Sequence, residues 1–448
     1  MAETWRNWGR SATAHPQHIE APRDEQQVVD LVTGAARAGR RIRPVGSGHS
    51  FTPIAATDDV LVRLDHLTGV HRVDADTGDV TFAAGTRLAD VPALLAPHHL
   101  AMENLGDIDR QTIAGAISTG THGTGLAFTG LAGQVTGLRL VLADGSVVDA
   151  DATRRPDLFA AARLGLGAFG ILTRVRVRCV PEFLLAADEH PEPLGDVLDG
   201  FADRAAAVDH LEFYLFPHTE VALVKQNRRL PVTEPTDPPP RWRAVLDDEV
   251  TSNGVFAATC AIGTAAPALV PAINKVAAKA VSTRRYTDRS HSVFTSPRRV
   301  RFREMEYGID LDALPGAIRR IQRLIADNGW RISFPMEIRV AAADDVPLST
   351  AYGRPTAYVA VHRFVADPFA RYFLGVQEIL LSCGGRPHWG KLHTLDAARL
   401  RTLYPQFDQV AALRREVDPV GVFGNAYLDR VLGGQHRQVG WTSRREAR

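Results

Sequence analysis

The sequence predicts an α+β protein with two parts, a glycine-rich first part and a second part in which aromatic strands alternate with helices. Three glycine-rich segments fall within the first 181 residues, at 43–52, 104–125 and 165–170. From about residue 182 glycine becomes rarer, and strands such as HLEFYLF alternate with helical patterns such as LPGAIRRIQRLIADNGW. With 448 residues, 45% of them hydrophobic, the chain is long enough for more than one domain with a sizeable core.

The first elements follow from periodicity and capping residues. Asp24 is a predicted N-cap of a helix that ends at Gly39 and buries one face, made of Val28, Val32 and Ala35. The strand RIRPVG follows, so the first glycine loop comes directly after a strand. Next come the strand VLVRL, a hairpin of VHRVDA and VTFAAG, and a short helix over 88–95.

The rest of the first part contains more glycine and further strands. Segment 104–125 has no sustained period and five glycines, which predicts a long coil in contact with a ligand. LRLVLADGSVVDA predicts a hairpin, and residues 156–180 predict a helix, a glycine turn and a strand. In that strand Val175, Val177 and Cys179 alternate with arginines. The proline-rich stretch PVTEPTDPPPR is a predicted surface loop inside the second part.

Composition excludes several classes of partner. The formal net charge of +1 gives no global field for nucleic acid or an acidic membrane. The one basic stretch, at 284–304, predicts a solvated surface, although it could attract an acidic electron carrier. Three scattered cysteines and an N-terminus without an apolar signal favour the cytoplasm and leave peripheral membrane association open. Segment 255–273 is uncharged, but its two prolines argue against a membrane span.

The three glycine clusters together predict one long ligand. GLGAFG at 165–170 matches the dinucleotide pattern GxGxxG, but a helix precedes it and a strand follows, which is the reverse of a Rossmann unit. A pyrophosphate could instead contact the backbone amides of residues 45–50, while the other loops line an extended nucleotide. No residue spacing in this part indicates a metal site.

These motifs resemble a known flavoprotein superfamily. RPVGSGHSFT, ENLGDIDRQTIAGAISTGTHGTG and GLGAFGILTRVRV are similar to the FAD domain of the vanillyl-alcohol-oxidase superfamily. With EIR at 337–339, HWGK at 388–391 and DPVGVFGNAYLDR at 418–430, the chain resembles sugar-1,4-lactone oxidases of the L-gulonolactone and D-arabinonolactone type. The resemblance implies a PCMH-type FAD domain at 1–181, an α+β cap domain built on an antiparallel sheet at 182–414, and a segment at 415–448 that returns to the FAD domain.

The resemblance also implies which residues contact the cofactor. His49 would be bonded through a ring nitrogen to the flavin, while glycines of the same loop hold the pyrophosphate. His122 would have a structural or flavin-contacting role. The expected cofactor contacts are Pro44, Val45, Gly46, Ser47, Gly48, His49, Ser50, Gly106, Gly115, Ser118, Gly120, Thr121, His122, Gly123, Gly125, Gly170 and Ile171.

A second set of residues is expected to act on the substrate. In SFPMEIRVA, period 2 places Glu337 and Arg339 on one face of a strand, opposite Phe334, Met336, Ile338 and Val340. By pattern alone this is an ion pair on a solvated face, whereas the resemblance implies the Glu-x-Arg that faces flavin and substrate. Glu337 would hold substrate hydroxyls, and Arg339 with Lys391 would stabilise developing negative charge. His362 and His388 could be wall residues or proton acceptors.

The expected activity is oxidation of the C2 alcohol of an aldono-1,4-lactone, such as L-gulono-1,4-lactone, to a ketone whose enol form is ascorbate or an analogue. The acceptor would be dioxygen, a cytochrome or a dye. An alditol oxidase shares the flavin motifs and is the nearest alternative. A non-catalytic nucleotide-binding regulatory protein is the alternative from another class, and it would not need Glu337, Arg339 and Lys391 to converge.

Overall fold

The computed structural model describes residues 4–240, 254, 256–280, 282–296 and 300–434 and confirms the α+β class. The strands are β1 Trp5–Arg6, β2 Thr13–Ala14, β3 His18–Glu20, β4 Ile42–Val45, β5 Val60–Arg63, β6 Val70–Val73, β7 Asp79–Ala83, β8 Leu100–Met102, β9 Val135–Val141, β10 Val147–Asp151, β11 Ile171–Pro181, β12 Phe183–Pro193, β13 His210–Leu215, β14 Val221–Pro231, β15 Arg284–Arg289, β16 Phe302–Asp310, β17 Met336–Ala341, β18 Thr356–Phe364 and β19 Arg386–Pro387. The α-helices are α1 Glu25–Arg37, α2 Val91–Leu95, α3 Ile113–Thr119, α4 Pro156–Ala162, α5 Leu194–Asp199, α6 Phe201–Ala207, α7 Phe256–Ala265, α8 Val270–Ala280, α9 Ser290–Phe294, α10 Leu314–Asp327, α11 Ala370–Ser382, α12 Ala397–Arg401, α13 Phe407–Val417 and α14 Ala426–Leu432.

The glycine-rich part is built on two main sheets. One is parallel, in the order β3-β5-β4, and the other has the order β10-β9-β11-β7-β6, with β8 on a further stretch of β11. Helix α1 begins as predicted, because the Asp24 side chain accepts a hydrogen bond from the Gln27 amide at 2.8 Å. Its buried residues are the predicted Val28, Val32 and Ala35.

The prediction that 104–125 is wholly coil is wrong, because this segment contains α3. The Thr112 side chain caps the helix by accepting a hydrogen bond from the Gly115 amide at 3.2 Å. Gly120, with φ of 83°, ends it in the left-handed region. Its small residues IAGAIST lack a clear helical period and predict a loop, but two flanking caps and a buried apolar face outweigh the low helix propensity of one glycine.

The second part is built on one antiparallel sheet of eight strands, in the order β15-β12-β14-β13-β17-β18-β16-β19. The register places Tyr214 opposite Glu337, Glu337 opposite Ala360, and Ala360 opposite Glu306. Residues directly opposite each other share a face of the sheet. Four neighbouring strands therefore contribute to one row on this face, here the polar row, in which Tyr214, Glu337 and Glu306 are polar and Ala360 is not. This face forms the site described below.

A buried arginine connects the glycine-rich part to the C-terminal segment. The guanidinium of Arg43 donates to the carbonyl oxygens of Gly167 and Phe423, each at 2.7 Å, and to those of Ile54 at 2.7 Å and Leu166 at 2.8 Å. Its residue is only 2% exposed. One side chain thus satisfies four buried carbonyl groups from three separate segments.

We expect Arg43→Met to lower the free energy of unfolding by at least about 3 kcal/mol, because each buried acceptor left unsatisfied costs about 1–3 kcal/mol. The shift of the urea unfolding midpoint measures it. Arg41→Met is the matched control: Arg41 is a neighbouring, 40% exposed arginine that pairs with Asp429 at 3.3 Å, and such surface pairs contribute about 0–1 kcal/mol. Equal shifts for the two variants would contradict the prediction.

Other predicted segments have mixed outcomes. The described part of 255–273 forms α7, a 3₁₀ turn starting at Pro267, and the beginning of α8. Within the described residues, no helix combines the length and apolar character that crossing a bilayer requires. The loop 231–240 is largely exposed, as predicted, and Arg241 lies outside the described residues. The basic stretch 284–304 is not all surface, because Phe302 and Glu304 on β16 are buried.

Candidate active site

Two adjoining cavities lie where the glycine loops meet the eight-stranded sheet. The first, here the glycine cavity, has a volume of about 870 Å³ and is lined by β4, the loop 46–50, α3 and the turn 166–170. The second, here the charged cavity, has a volume of about 960 Å³ and is lined by the polar row of the sheet and by His388, Gly390 and Lys391. His49, Ser50, Gln111 and Thr119 line both cavities. A single elongated ligand can therefore pass from one cavity into the other.

Most of the predicted cofactor contacts line one of these cavities. Those at the glycine cavity are Pro44, Val45, Gly46, Ser47, Gly48, His49, Ser50, Gly115, Ser118 and Gly170. Those at the charged cavity are His49, Ser50, Gly106, Thr121 and His122.

Four predicted contacts line neither cavity. Gly120 ends α3, and Ile171 is fully buried at the start of β11. Gly123 lines a smaller neighbouring cavity. The Gly125 amide donates to the Val340 carbonyl at 2.9 Å, which joins the glycine loop to β17. The structure thus gives these glycines roles in chain geometry rather than contact with the two cavities.

The glycine cavity fits an extended nucleotide. A Cβ atom on Gly46 would lie 2.4 Å from the Thr112 hydroxyl, so only glycine lets this loop approach the N-terminus of α3. Gly48 has φ of 67°, a conformation that glycine adopts without strain. The lining is mostly small or apolar, as expected for a site where backbone groups contact phosphate and rings pack against aliphatic side chains.

His49 lies at the junction of the two cavities. Its ring stacks on the Trp8 indole, with 5.5 Å between ring centroids and 23° between planes. Burial, and after it the positive charges of Lys391, Arg110 and Arg87, lower the pKa of His49 to about 4. The imidazole is therefore neutral at physiological pH, with a nitrogen lone pair available for bonding.

Arg339 is the central cation on one side of the charged cavity, and the predicted pairing with Glu337 is confirmed. Its Nη2 lies 2.6 Å from the Glu337 Oε1 and 2.6 Å from the Asp107 Oδ1, and its Nε donates to the Glu212 Oε2 at 2.8 Å. Tyr214 donates its hydroxyl to the Glu337 Oε1 at 2.8 Å. Burial lowers the pKa of Arg339, but the three carboxylates raise it well above its usual value, so the guanidinium stays charged. These contacts use Nε and Nη2, and Nη1 takes no part in them.

Lys391 provides the second cation that lines the cavity. Its Nζ lies 2.5 Å from the Glu304 Oε2 and 5.4 Å from the centre of the Phe51 ring. Burial lowers the pKa of Lys391, but Glu304 and Glu306 raise it more strongly. Burial in turn raises the pKa of Glu304, and the positive charge of Lys391 is the largest of the effects that lower it, to about 2. Both members of the pair are therefore ionised at neutral pH.

Hydrogen bonds fix the roles of two buried histidines beside this pair. The His122 Nδ1 lies 2.9 Å from the Gly123 carbonyl oxygen and its Nε2 lies 3.1 Å from the Glu306 Oε1. Both ring nitrogens of His122 are therefore engaged by protein groups. In His388, by contrast, Nδ1 accepts a hydrogen bond from the Gly390 amide at 3.0 Å.

The expectation that His388 could be a proton acceptor is therefore corrected. With Nδ1 occupied as an acceptor, the neutral ring carries its proton on Nε2 and can only donate from that atom. Burial lowers the pKa of His388 to about 4, which keeps the ring neutral. It lines the cavity as a hydrogen-bond donor.

Among the residues that the structure describes, two groups of metal-ligand type come together, His122–Glu306–His388 and Asp107–Glu212–Glu337, each with its ligand atoms within 4.8 Å of one another. A protein cation already accompanies each group. Arg339 contacts all three acids of the second group, and Glu306 of the first group is one of the charges that raise the pKa of Lys391. The predicted absence of a metal centre remains a prediction.

Several lining residues were missed from the sequence. Trp8, Asp107, Tyr214, Glu304 and Glu306 all line the charged cavity. A usable signal was the period-2 spacing of Phe302, Glu304 and Glu306, which places them on one face of β16. Two acids on one face of an otherwise apolar strand indicate a polar site. One predicted face was also wrong: Phe334 precedes β17 and lines the cavity.

The low pKa of His388 makes stability depend on pH. Its pKa is about 4 in the fold against 6.5 ordinarily, so the unfolded chain binds the proton first, and stability is lost as pH falls from 6.5 toward 4. Between pH 7 and pH 4, we expect the free energy of unfolding to fall by on the order of 3 kcal/mol less in His388→Gln than in the parent. Urea unfolding at pH 7 and pH 4 measures it, with the exposed His98→Gln as control. Identical losses in parent and His388→Gln would contradict the prediction.

Comparisons with known proteins agree with this geometry. The D-arabinono-1,4-lactone oxidase family matches residues 175–431, and the FAD binding domain family matches residues 16–151. L-gulono-1,4-lactone dehydrogenase of Mycobacterium tuberculosis is 40% identical over 433 residues, covering 97% of this chain and 100% of the relative. L-gulonolactone oxidase of Bos taurus is 29% identical over 438 residues, covering 96% of this chain and 98% of the relative.

Among solved structures, cholesterol oxidase of Brevibacterium sterolicum superposes with a TM-score of 0.81 at 18% sequence identity, covering 96% of this chain and 97% of that one. At this identity the likeness shows the fold alone. The predicted vanillyl-alcohol-oxidase-type fold is confirmed, and FAD is the cofactor of the glycine-rich part.

Proposed function

Because the chain belongs to the D-arabinono-1,4-lactone oxidase family and is an FAD-dependent oxidoreductase, we propose that it oxidises the C2 alcohol of an aldono-1,4-lactone. L-gulono-1,4-lactone, which would yield ascorbate, is the first candidate, since the relatives that align over nearly the whole chain are named for this lactone. Family membership sets aside the alternative of a non-catalytic nucleotide-binding protein.

The observation that supports the proposal best is the convergence of Glu337, Arg339 and Lys391 in one cavity that continues, at His49, into the glycine cavity. Bound FAD supplies the acceptor for the two electrons and the hydrogen that leave the alcohol carbon. The protein groups then have to bind a polyhydroxylated ring, orient its C2 hydroxyl and offset the negative charge that develops.

The proposed roles follow from the contacts. Glu337, held by Tyr214, accepts hydrogen bonds from substrate hydroxyls. The Nη1 of Arg339 donates to the developing oxyanion, because the other guanidinium nitrogens are occupied by carboxylates. Lys391 provides an ammonium charge, which is held in place by the Glu304 Oε2, 2.5 Å from the Lys391 Nζ. His388 donates from Nε2.

The cavity charge supports a neutral substrate. Four lining carboxylates, those of Asp107, Glu304, Glu306 and Glu337, face the two lining cations Arg339 and Lys391. An anionic sugar acid would meet repulsion that a neutral lactone does not.

We also propose that the neutral His49 carries the flavin covalently, and that residues 415–448 complete the FAD domain begun by 1–181, with 182–414 as the cap. The contacts of Arg43 with Phe423, and of the Asn425 side chain with the carbonyls of Ile54 and Ala56, support this division for the described residues. The three cysteines are unpaired, which supports a cytoplasmic location.

The test is anaerobic bleaching of the purified yellow protein. We expect L-gulono-1,4-lactone or another aldonolactone to bleach the flavin absorbance within the mixing time of a titration, whereas the matching aldonate and alditols do not. Reoxidation by dioxygen, cytochrome c and a dye then identifies the acceptor. Bleaching by alditols alone would overturn the lactone assignment, and no bleaching by either class would overturn the proposed function.

A further inference from the structure

We propose that His362 is the catalytic base, a role that rests on the proposed function: its Nε2 takes the proton of the substrate hydroxyl, and Glu304 stabilises the imidazolium that forms. His362 lies on β18, directly opposite Glu304 on β16, and its ring lines the charged cavity. Its residue is 6% exposed. The rings of Phe302 and Phe334 pack against it, with centroids at 5.2 Å and 5.7 Å.

The tautomer of His362 follows from its hydrogen bonds. Its Nδ1 lies 3.0 Å from the Pro335 carbonyl oxygen, which can only accept, so Nδ1 carries a proton. In the neutral ring Nε2 is then unprotonated and holds a lone pair. That atom lies 3.6 Å from the Glu304 Oε1, close enough to stabilise a positive ring but too long for a hydrogen bond that would hold a proton there in advance.

The other histidines of the charged cavity do not offer such a lone pair. His122 faces acceptors at both nitrogens, and His388 uses the Nδ1 lone pair for the Gly390 amide. His49 is the proposed point of flavin attachment. Among the histidines that line this cavity, His362 is thus the one whose hydrogen bonds leave a basic nitrogen for the substrate.

The carboxylates of the cavity are poorer bases. Burial raises the pKa values of Glu304 and Glu306, but neighbouring positive groups lower them more strongly. Carboxylates with such low pKa values are poor acceptors for the proton of an alcohol. Glu337 contacts Arg339 at 2.6 Å and accepts from Tyr214. These carboxylates position charges, whereas a neutral imidazole gains a proton without first losing an ion pair.

Glu304 connects the base to the cation of the site. Its Oε2 holds Lys391 and its Oε1 faces His362, so one carboxylate separates a permanent positive charge from one that appears during the reaction. In the balanced step, the substrate O–H bond breaks and its proton bonds to Nε2. The C–H hydrogen leaves with its electron pair to the bound FAD, and the C–O bond becomes C=O.

The first test reads the tautomer without any turnover. Nitrogen-15 NMR of the holoenzyme labelled at histidine ring nitrogens, assigned with His362→Gln, is expected to show His362 neutral with its proton on Nδ1 at pH 8. It should show His388 with its proton on Nε2. A proton on Nε2 of His362 at pH 8, in either a neutral or a charged ring, would overturn the proposal.

The second test separates proton transfer from binding. In anaerobic stopped-flow with the lactone, His362→Gln is expected to slow flavin reduction roughly 10²- to 10⁴-fold, while the dissociation constant for the lactone changes less than threefold. The parent rate should rise with pH, and the variant should lack that rise. The charged groups facing the ring are Glu304 and, beyond it, Lys391; Phe302, Phe334 and Pro335 on the remaining sides are uncharged.

Controls keep the outcomes distinct. The exposed His98→Gln should reduce at the parental rate. His362→Ala should regain speed when free imidazole is added, which a purely structural defect would not. If no lactone bleaches the parent, the proposed function is wrong. If a lactone bleaches the parent and His362→Gln has the same rate and pH profile, only the role of His362 is overturned.

Discussion

Replacing Arg339 by methionine is expected to slow anaerobic flavin reduction by the lactone about 10³-fold. A unit charge about 4 Å from developing negative charge contributes on the order of 4 kcal/mol at an effective dielectric constant near 20. Each 1.36 kcal/mol of barrier corresponds to a factor of about ten in rate. The loss therefore falls on the rate constant of reduction more than on lactone binding, because the charge develops only as the bond breaks.

The surroundings of Arg339 add to this effect. Its removal leaves Asp107, Glu212 and Glu337 close together without their common cation, so the remaining field disfavours negative charge at the reacting oxygen. The same change costs stability, since breaking a buried ion pair from one side destabilises by about 3–5 kcal/mol. Arg339→Lys keeps the charge and loses the forked geometry, so it should reduce faster than Arg339→Met.

Stopped-flow absorbance of the flavin measures this, with flavin content and unfolding midpoint recorded for each variant. Arg331→Met is a matched control on the same chain segment, because Arg331 does not line either cavity. A folded, flavin-loaded Arg339→Met that is reduced within tenfold of the parental rate would contradict the assignment. If Arg339→Met does not fold, Arg339→Lys is tested instead, and its rate of flavin reduction should lie between that of the parent and that of an inactive enzyme.

Local pattern predicted much of this molecule because the signals were short-range. The cap at Asp24, the hairpin of β6 and β7, and the pairing of Glu337 with Arg339 each depend on residues fewer than about fifteen positions apart. The glycine loop at 46–50 was recognised as a ligand site for the same reason. Its residues are adjacent, and their chemistry is visible in one line of sequence.

The remaining half of the site depends on contacts that no local pattern contains. Asp107 reaches Arg339 across 232 positions, and Glu306 reaches His122 across 184. Sheet register alone places Glu304 opposite His362. The roles of His362 and His388 were also undetermined, because a histidine's tautomer is set by its partners, here the Pro335 carbonyl and the Gly390 amide. The residue types can be read from the sequence, whereas the fold decides which ring nitrogen is basic.

His49→Ala is expected to abolish covalent attachment of the flavin, from about one flavin per chain to none, while the protein still binds FAD. The attachment needs an unprotonated ring nitrogen at the junction of the two cavities, and burial together with Lys391, Arg110 and Arg87 keeps the His49 pKa at about 4. Most of the glycine cavity is lined by residues other than His49, so noncovalent binding should persist.

Acid precipitation separates the two kinds of binding: parental flavin should stay with the protein pellet, and that of His49→Ala should pass into the supernatant. His122→Ala is the matched control, because it removes another histidine of the charged cavity and should leave the flavin in the pellet. Neutrality of the ring also predicts that parental protein reconstituted with FAD attaches it at pH 6 as well as at pH 8, since both lie above the His49 pKa of about 4. Flavin that stays in the pellet of His49→Ala would place the bond on another residue, and flavin released from the parent would show that no bond forms.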